Sequence, residues 1–406
     1  MKSIDQESFA GKKVLVRVDY NVPQNEQLQV TSVTRIKRTV ETVNKITNDG
    51  GIAILMSHLG RPKGEVNDTF SLKHILSAVC DTLGKQVTFL GDVLDADIEE
   101  KITRLKPGDI ALLENLRFHK EEEKGDIEFA KAIAKLGDIY VNDAFGTAHR
   151  EHASTATIAR LFPGKAYAGY LLYGEVQSLK KVLEEKKSPF TAIIGGAKVS
   201  TKINILKNLM EKVDNLIIGG AMSYTFLSAL GFTHGNSLFE EEMVTVAKEI
   251  LEQAKIKGIN IYLPVDNLCA DKFAEDANMF LTEDQNISND RIGMDIGVRT
   301  IELFRKVILD SKTILWNGPV GVFEMDKFAG GTKAVAEAIA ESTKNGAYSL
   351  IGGGDSIAAL GKFGLSKEVS YISTGGGAML EYLEGFELPG IKVLEIEKEV
   401  KPVTIL

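Results

Sequence analysis

Short apolar runs rich in β-branched residues alternate with amphipathic stretches along the whole chain. The runs of the first half are KVLVRV, IAILMS, VTFL, IALLEN and DIYVND, and those of the second half are FTAIIG, NLIIG, NIYLPV, TILWN, AYSLIG and VSYIS. Strands that alternate with helices predict a parallel sheet with both faces covered. Two such series predict an α/β protein with two doubly wound parallel-sheet domains.

Two of the amphipathic stretches show a clear helical pattern. Apolar residues recur three or four positions apart from Val199 to Val213, which predicts a helix that begins near Lys198. Between the two halves, the stretch YGEVQSLKKVLEEKKSPF places three apolar residues between Val176 and Leu183 on one face. This stretch predicts a connecting helix rather than a flexible linker.

The length of 406 residues exceeds what one hydrophobic core usually reaches, so two domains are expected. We place them at residues 1–172 and 173–389, followed by an apolar tail, 390–406, that packs back on a domain.

The net charge of -8 argues against a nucleic-acid or anionic-membrane binder. No run is long enough to span a bilayer, and a cytoplasmic location is expected. The two cysteines, Cys80 and Cys269, are expected in the core without a disulfide.

Four apolar runs of the second half end in glycines and then become helical: IIGGAKVS, IIGGAMSY, LIGGGDSI and ISTGGGAM. Glycine permits a sharp turn and a close approach of a ligand, and the start of the helix that follows attracts anions. A single Gly-Gly turn most often only connects a strand to a helix, whereas four in one domain indicate a phosphorylated ligand. The chain has neither a P-loop motif nor a G-x-G-x-x-G fingerprint.

Charged residues accompany these glycines. Lys198 and Lys202 would project from one face at a helix start, where like charges repel and the helix dipole disfavours cations. They are either two solvated surface charges or, as we favour, ligands of an anion. Asp355 is either a helix N-cap or a carboxylate facing a phosphate-bound magnesium ion. Asn317 and Glu324 lie in TILWNGPVGVFE, where Glu324 is a candidate acceptor from ribose hydroxyls.

In the first half, polar residues follow the predicted strands. They are Asp19, Asn21 and Arg35 after the first run, His58 and Arg61 after the second, Asn115 and Arg117 after the fourth, and Asp143, His149, Arg150 and His152 after the fifth. A lone arginine would indicate a surface ion pair. Four arginines at the same end of one sheet indicate a cleft for a small polyanion, since a guanidinium suits carboxylate and phosphate. A magnesium-nucleotide site and a small-anion site together predict phosphoryl transfer across a cleft.

In order along the chain, VLVRVDYNVP, SHLGRPKG, LLENLRF, NDAFGTAHR, GGAKVSTK, WNGPVGVFE, GGGDS and STGGGAMLEYLEG resemble the motifs of the phosphoglycerate kinase family over essentially the whole length. The resemblance implies reversible transfer of the acyl phosphate of 1,3-bisphosphoglycerate to ADP, giving 3-phosphoglycerate and MgATP in glycolysis. It also implies two Rossmann-like domains joined by a hinge helix, direct transfer across the interdomain cleft, a tail that returns to the N-terminal domain, and a monomer.

The resemblance also implies roles for individual residues. The 3-phosphoglycerate site of the N-terminal domain would comprise Asp19, Asn21, Arg35, His58, Arg61, Arg117 and Arg150. The nucleotide site of the C-terminal domain would comprise Gly195, Lys202, Gly293, Asn317, Glu324, Gly353, Gly354, Asp355 and Ser356, with Asp355 near Mg²⁺. Arg35, Lys198 and the helix start at Gly375 would steady the phosphoryl group during transfer.

Some positions depart from the family pattern: Tyr20, Glu151, Met379, Phe386 and the hinge-helix sequence LLYGEVQ. None of them replaces a residue to which the resemblance assigns a role. Glu151 would weaken the positive potential beside Arg150, and the hinge and tail changes bear on domain docking.

Two other functions stay open on the sequence. One is an ATP-dependent enzyme that acts on another carboxylate or acyl phosphate. The other is a nucleotide-binding regulator that has lost catalysis, against which the presence of all motif residues argues.

Overall fold

The structure, a computed structural model, describes residues 1–395 of the chain. It divides into two compact units, of which the first comprises Met1–Val176 with the segment that begins at Glu387, and the second comprises Gln177–Phe386. The division falls inside a helix, Tyr170–Leu183, in the stretch predicted to connect the two halves. The predicted domain limits, 1–172 and 173–389, differ from the bounds of these units by a few residues and remain predictions.

The first unit contains a six-stranded sheet in the order β3-β4-β2-β1-β5-β6, and all its paired strands are parallel. The strands are β1 (Lys13–Val18), β2 (Ile52–Met56), β3 (Val87–Gly91), β4 (Ile110–Leu113), β5 (Ile139–Asp143) and β6 (Ala166–Ala168). The α-helices are α1 (Thr34–Lys37), α2 (Val40–Asn48), α3 (Leu76–Leu83), α4 (Ile98–Thr103), α5 (Lys120–Glu123) and α6 (Ile127–Ala134), and α7 (Tyr170–Leu183) is the helix shared with the second unit. Short 3₁₀ turns occupy Ile4–Gln6, Asp68–Phe70, Leu72–Ile75, Leu116–Phe118, Phe145–Thr147 and Ile158–Leu161, and a π-helix occupies Ala153–Thr157.

The apolar runs explain these strands. β1, β2 and β5 are almost wholly buried, as expected of parallel strands covered on both faces. Local signals set the helix ends: the Asp126 side chain accepts a hydrogen bond from the Phe129 N–H at 2.9 Å at the start of α6. α3 ends at Gly84, whose φ of 64° lies in the left-handed region that glycine favours.

The second unit contains a second six-stranded parallel sheet in the order β15-β14-β13-β7-β8-β9. Its strands are β7 (Phe190–Ile194), β8 (Asn215–Ile218), β9 (Asn260–Tyr262), β13 (Thr313–Asn317), β14 (Tyr348–Gly352) and β15 (Tyr371–Ile372). The helices are α8 (Ile203–Leu209), α9 (Met222–Ala229), α10 (Val244–Lys257), α11 (Val298–Asp310), α12 (Gly330–Lys344), α13 (Gly354–Lys362) and α14 (Gly377–Leu383), with 3₁₀ turns at Glu241–Met243 and Asp326–Phe328.

The two parallel sheets confirm the predicted fold class. The structure adds an element that the apolar runs did not predict, a three-stranded antiparallel sheet in the order β11-β10-β12. Its strands are β10 (Asn267–Ala270), β11 (Met279–Leu281) and β12 (Ile292–Ile296). β11 (MFL) is apolar but only three residues long and mostly exposed, and β12 (IGMDI) is interrupted by a glycine and an aspartate, so neither forms an apolar run like those of the parallel strands.

The predicted helix start near Lys198 is wrong, because α8 begins at Ile203. The preceding residues are held in a turn by Glu240, whose carboxylate accepts hydrogen bonds from the Ser200 N–H at 3.0 Å and the Ser200 hydroxyl at 2.5 Å. The Thr201 hydroxyl also donates to the Lys198 carbonyl at 3.0 Å. The apolar pattern nevertheless marks a core position before the helix, since Val199 is fully buried.

The tail after the second unit returns to the first. Helix α15 (Pro389–Glu395) belongs to the first unit, and the Gly390 N–H donates to the Ala148 carbonyl at 2.8 Å. The rest of the predicted tail, residues 396–406, lies outside the described residues. Cys80 and Cys269 are free thiols, as predicted; Cys269 is buried, whereas Cys80 is only half-buried against the core. Among the described residues, no helix combines the length and apolar character needed to cross a membrane.

Candidate active site

A cavity of about 380 Å³ lies at the carboxyl ends of β7, β13 and β14 in the second unit. This is where open parallel sheets bind ligands, and the volume is in the range of small-ligand sites. Most of its wall comes from the turns that follow these three strands. The lining residues are Gly195, Gly196, Ala197, Lys198, Thr201, Lys202, Asn317, Gly318, Gly353, Gly354, Asp355, Ser356 and Leu380.

Two of the glycines are required by close packing of these turns. A Cβ atom at Gly195 would lie 2.1 Å from the Pro319 carbonyl oxygen. Gly353 has a φ of 89°, and a Cβ atom there would lie 2.9 Å from Asn317 Nδ2. Side chains at these positions would strain the backbone and push the turns apart, so the glycines keep the floor of the cavity open.

The cavity wall contains an unusual polar pair. The Lys202 ammonium donates to Asn317 Oδ1, and the buried Asn317 Nδ2 has no hydrogen-bond partner in the described part of the chain. Burial lowers the pKa of Lys202, while the charges of Asp355 and Glu384 act in the opposite direction. An anion in the cavity would supply the acceptor and the charge that these two groups lack.

Lys198 and Lys202 line the same cavity although they do not share a helix face. Lys198 is exposed and Lys202 is half-buried, so their surroundings differ. Asp355 is the second residue of α13 and not its N-cap, which is Gly353. Its exposed side chain also lines the cavity.

Three predicted residues are not part of the cavity lining. Gly293 lies in β12, where its N–H donates to the Ser237 hydroxyl at 2.8 Å. Glu324 has an exposed side chain, and its carbonyl accepts a hydrogen bond from Lys362 Nζ at 3.2 Å. Gly375 precedes α14, and its N–H donates to the Ser373 hydroxyl at 3.2 Å. Their ligand contacts stay predictions.

In the first unit, polar side chains gather where β1 and β2 end. Arg35 Nη1 lies 2.6 Å from Asp19 Oδ2, and Asn21 Oδ1 accepts from the Gly60 N–H at 2.9 Å. His58 is almost fully buried, with Nδ1 4.0 Å from Asp19 Oδ1. Burial, followed by the charges of four nearby arginines, lowers the pKa of His58 well below its usual value, so the ring is neutral near pH 7.

Arg117 and Arg150 bring further positive charge to this cluster. Arg117 is buried, its Nη1 donates to the Gly60 carbonyl at 2.9 Å, and its Nη2 has no hydrogen-bond partner among residues 1–395. Burial, opposed by Glu123, lowers its pKa to about 10. Arg150 Nε donates to His149 Nε2 at 3.2 Å. A buried guanidinium with an unused donor marks a place for an anion.

Arg61 is the exception in the first unit. Its side chain is exposed, and no hydrogen bond or ion pair of the described chain holds it. Three fully buried residues beside the cluster were not predicted from the sequence: Arg17, Glu122 and Ser154. Arg17 could have been noticed, because a charged residue in the middle of an apolar strand such as KVLVRV calls for a buried partner.

The departures from the family pattern have structural explanations. Glu151 forms an ion pair with Arg160 rather than with Arg150. Tyr20 is fully buried, and its hydroxyl lies 2.8 Å from the Thr39 hydroxyl. Met379 is fully buried against Gly352, where a Cβ atom would lie 2.0 Å from its sulfur. Phe386 is exposed at the end of the second unit.

The chain is similar to known proteins over almost its whole length. The family model described as phosphoglycerate kinase matches residues 4–386. The phosphoglycerate kinase of Porphyromonas gingivalis is 51% identical over 97% of this chain and 100% of its own length, and that of Chlorobaculum tepidum is 50% identical over 97% and 99%.

Solved structures show the same fold. The phosphoglycerate kinase structure from Coxiella burnetii has a TM-score of 0.89 and 42% identity, and that from Pyrococcus horikoshii has 0.81 and 33%. Each covers 97% of this chain and 98% of the matched one. The family model, the relatives and the two-domain Rossmann-like fold therefore agree that the chain belongs to the phosphoglycerate kinase family.

Proposed function

We propose that the cavity of the second unit binds the phosphate chain of ADP or ATP, and that the arginine cluster of the first unit binds 3-phosphoglycerate. As a member of its family, the protein is a glycolytic kinase that reversibly converts 1,3-bisphosphoglycerate and ADP into 3-phosphoglycerate and ATP. What remains to be assigned is which residues of this chain perform each part of the reaction.

The Lys202–Asn317 pair is the observation that carries the nucleotide assignment. An ammonium group and an unused amide N–H donor meet at the wall of a cavity that glycine turns keep open. Helix α13 begins at the same wall, and free N–H groups at a helix start attract phosphate. These donors suit a polyphosphate, and the remaining candidates, Gly293 and Glu324, are proposed contacts of the nucleoside.

The cluster of the first unit suits a ligand with both a carboxylate and a phosphate. Arg117 offers an unused buried donor, and Arg35, Arg61 and Arg150 add three guanidinium groups. Asp19 holds Arg35 in place and Asn21 fixes the Gly60 backbone. Because His58 is neutral, it can donate one hydrogen bond without adding charge to a crowded set of cations.

Magnesium fits the nucleotide site only as an ion shared with phosphate. Within residues 1–395 no group of three or more His, Cys, Asp or Glu side chains could hold a metal ion. Asp355, an exposed carboxylate in the cavity lining, could provide one ligand. Mg²⁺ in phosphotransferases commonly takes one or two carboxylates, waters and substrate phosphates. When bound, it would neutralise phosphate charge during transfer.

In the direction of ATP synthesis, an oxygen of the ADP β-phosphate bonds to the acyl phosphorus as the bond from phosphorus to the carboxyl oxygen breaks. 3-Phosphoglycerate leaves as a carboxylate, so no proton has to move. The chain therefore contributes position and electrostatic stabilisation. Lys198, exposed at the cavity, is proposed to steady the moving phosphoryl group, and the same role for Arg35 and Gly375 stays a prediction.

The test is a coupled assay of purified protein with MgATP. ADP should form only when 3-phosphoglycerate is added, and EDTA should abolish the reaction. Equal turnover with acetate or carbamate would contradict the substrate assignment.

We further propose a monomeric cytoplasmic enzyme that binds neither nucleic acid nor membranes, in keeping with the net charge of -8. Light scattering during size-exclusion chromatography would test the monomer.

A further inference from the structure

A fully buried arginine lies beside the candidate substrate site without belonging to it. Arg17 is the fifth residue of β1 and has no exposed surface. Its guanidinium makes three contacts: Nη1 donates to the Val18 carbonyl, Nε donates to the Ser154 hydroxyl at 2.9 Å, and Nη2 lies 3.1 Å from His58 Nδ1. A buried cation of this kind needs compensation by an anion.

Glu122 provides that compensation through Ser154. Glu122 is completely buried in α5. One carboxylate oxygen accepts from the Ser154 hydroxyl at 2.6 Å, and the other accepts from the Ser154 N–H at 2.9 Å. Because the hydroxyl proton is given to Glu122, the Ser154 oxygen can only accept from Arg17. The direction of every hydrogen bond in the chain Glu122–Ser154–Arg17 is thereby fixed.

This fixed direction extends to the histidine. An arginine offers only donors, so His58 Nδ1 must accept from Arg17 and cannot carry a proton. The proton of the neutral ring is then on Nε2. No residue of the described chain forms a hydrogen bond with His58 Nε2, and this atom keeps some exposed surface. The Nε2–H group is therefore available to a ligand.

We propose that Glu122, Ser154 and Arg17 are positioning residues that hold His58 as the tautomer protonated on Nε2, so that the ring presents an uncharged N–H donor to 3-phosphoglycerate. The inference rests on the proposed function, in which His58 contacts this substrate. A protonated ring would add a like charge to Arg35, Arg117 and Arg150, and the other tautomer would present an acceptor to an anion. The buried chain excludes both states.

Nitrogen NMR of histidine-labelled enzyme without substrate tests the tautomer directly. The His58 signal is identified among the six histidines by its loss in His58→Gln. We expect an unprotonated Nδ1 and a protonated Nε2 that do not titrate between about pH 5 and 8, where ordinary histidines do. In Ser154→Ala, Arg17 loses the acceptor that anchors Nε, so His58 should show mixed tautomers or begin to titrate.

A matched control comes from the same π-helix. Thr157 donates its hydroxyl to the Gly125 carbonyl at 3.0 Å and is not among the hydrogen-bond partners of Arg17. Thr157→Val removes a hydroxyl at nearly constant volume and should leave the His58 signals unchanged. If Ser154→Ala does not fold, Arg17→Lys replaces it, because a single ammonium cannot reproduce the contacts to both Ser154 and His58.

Kinetics then separate positioning from a structural role. Losing one well-directed hydrogen bond should raise the KM for 3-phosphoglycerate by roughly 3- to 10-fold in Ser154→Ala, with kcat nearly unchanged. In His58→Gln the amide N–H replaces Nε2–H and has no tautomer to control. Adding Ser154→Ala to that background should therefore change KM by less than about twofold.

Each outcome has a definite meaning. An unchanged His58 tautomer in both Ser154→Ala and Arg17→Lys would overturn the inference, as would a KM increase of the same size in the His58→Gln background. A different result tests the proposed function: if His58→Ala binds 3-phosphoglycerate as tightly as the unchanged enzyme, His58 is not a substrate ligand. The NMR result for the ligand-free enzyme would stand or fall independently of that measurement.

Discussion

The two candidate sites solve the problem of binding an anion in opposite ways. The first unit gathers charged side chains, with Arg35, Arg117 and Arg150 all acting on the pKa of His58. The second unit uses a cavity whose wall is mostly glycine turns, with Lys198 and Lys202 as its cations. One site is defined by charge and the other largely by backbone shape.

This difference predicts how each site responds to substitution. Like charges held together in the first unit repel one another, and a bound anion relieves this repulsion. Removal of one charge there should weaken binding without disturbing the fold. In the second unit, even a glycine-to-alanine substitution at Gly195 or Gly353 should destabilise the turns and weaken ligand binding. At these two positions the turns are packed against each other and leave no room for a Cβ atom.

The largest expected effect is on catalysis at Lys198. Lys198→Ala should reduce kcat by roughly 10²–10³-fold, because an electrostatic donor that acts mainly in the transition state affects rate more than binding. The Kd for MgADP should change little. Steady-state kinetics and calorimetric titration measure the two quantities.

Lys202→Ala is the matched comparison. Lys202 is half-buried and holds Asn317, so its loss should mainly raise the nucleotide Kd and leave Asn317 less well oriented. If neither kcat nor nucleotide Kd changes by as much as threefold in either variant, the two lysines are solvated charges and the proposed nucleotide site is wrong.

The next effect concerns the charge-defined site. Arg150→Ala should weaken 3-phosphoglycerate binding by about 1.5–3 kcal/mol, the value of a charge-assisted hydrogen bond. This corresponds to roughly 10- to 150-fold in Kd, and the loss should shrink as salt screens the ligand. MgATP binding should stay nearly constant, because its candidate residues lie in the other unit. Equal weakening of both ligands in calorimetry would contradict the assignment.

A pair of adjacent glycines tests the shape-defined site. Gly353→Ala forces a side chain into a φ of 89° and places Cβ 2.9 Å from Asn317 Nδ2. We expect a loss of about 1–3 kcal/mol in unfolding free energy, together with weaker nucleotide binding. Gly354→Ala is the control, since its Cβ would meet nothing within 4 Å at the start of α13. Urea denaturation should show the difference, and equal stability of the two variants would refute this account.

The same contrast explains what could be predicted from the sequence. Strand ends were predictable because fully buried parallel strands are continuous apolar runs. The carboxyl edges of both sheets hold many of the candidate residues, although Gly293 lies in the antiparallel sheet. The helix start after Lys198 was not predictable, because Glu240, forty residues away along the chain, holds Ser200 in a turn. The antiparallel strands β10–β12 are too short or too polar to form apolar runs like those of the parallel strands, and the partners of Arg17 are set by tertiary packing.

Each unit also contains one buried aspartate whose ionisation should affect stability. Burial raises the pKa of Asp143 and of Asp295 to about 7, although each accepts backbone hydrogen bonds: Asp143 from Leu171 and Asp295 from Gly331. The folded state therefore binds more protons than the unfolded state between 3.8 and about 7. The two aspartates therefore contribute a fall in unfolding free energy as the pH rises through this window, which levels off above it. The buried neutral His58 and His152, whose pKa values are lowered by burial, contribute a rise below about pH 6.5.

Asparagine variants isolate these two contributions. Asp143→Asn and Asp295→Asn should each remove one falling contribution, so the slope of unfolding free energy between about pH 4 and 7 should become more positive than in the parent protein, as measured by urea denaturation at several pH values. His119, whose pKa is raised by its hydrogen bond to Asp92, contributes a separate loss of stability at higher pH that both variants retain. A slope that persists unchanged in both would show that neither aspartate is protonated in the folded state.

The smallest expected effect concerns the residue beside Arg150. Glu151 was expected from the sequence to weaken the positive potential of the substrate site, yet its carboxylate pairs with Arg160 at the surface, where the side chains are 56% and 48% exposed. Exposed pairs of this kind contribute about 0–1 kcal/mol. Glu151→Ala should therefore change stability by no more than this and the KM for 3-phosphoglycerate by less than about twofold. Arg160→Ala should behave similarly if the pair acts only locally. A several-fold decrease in KM for Glu151→Ala that disappears at high salt would show instead that Glu151 opposes the arginine cluster at long range.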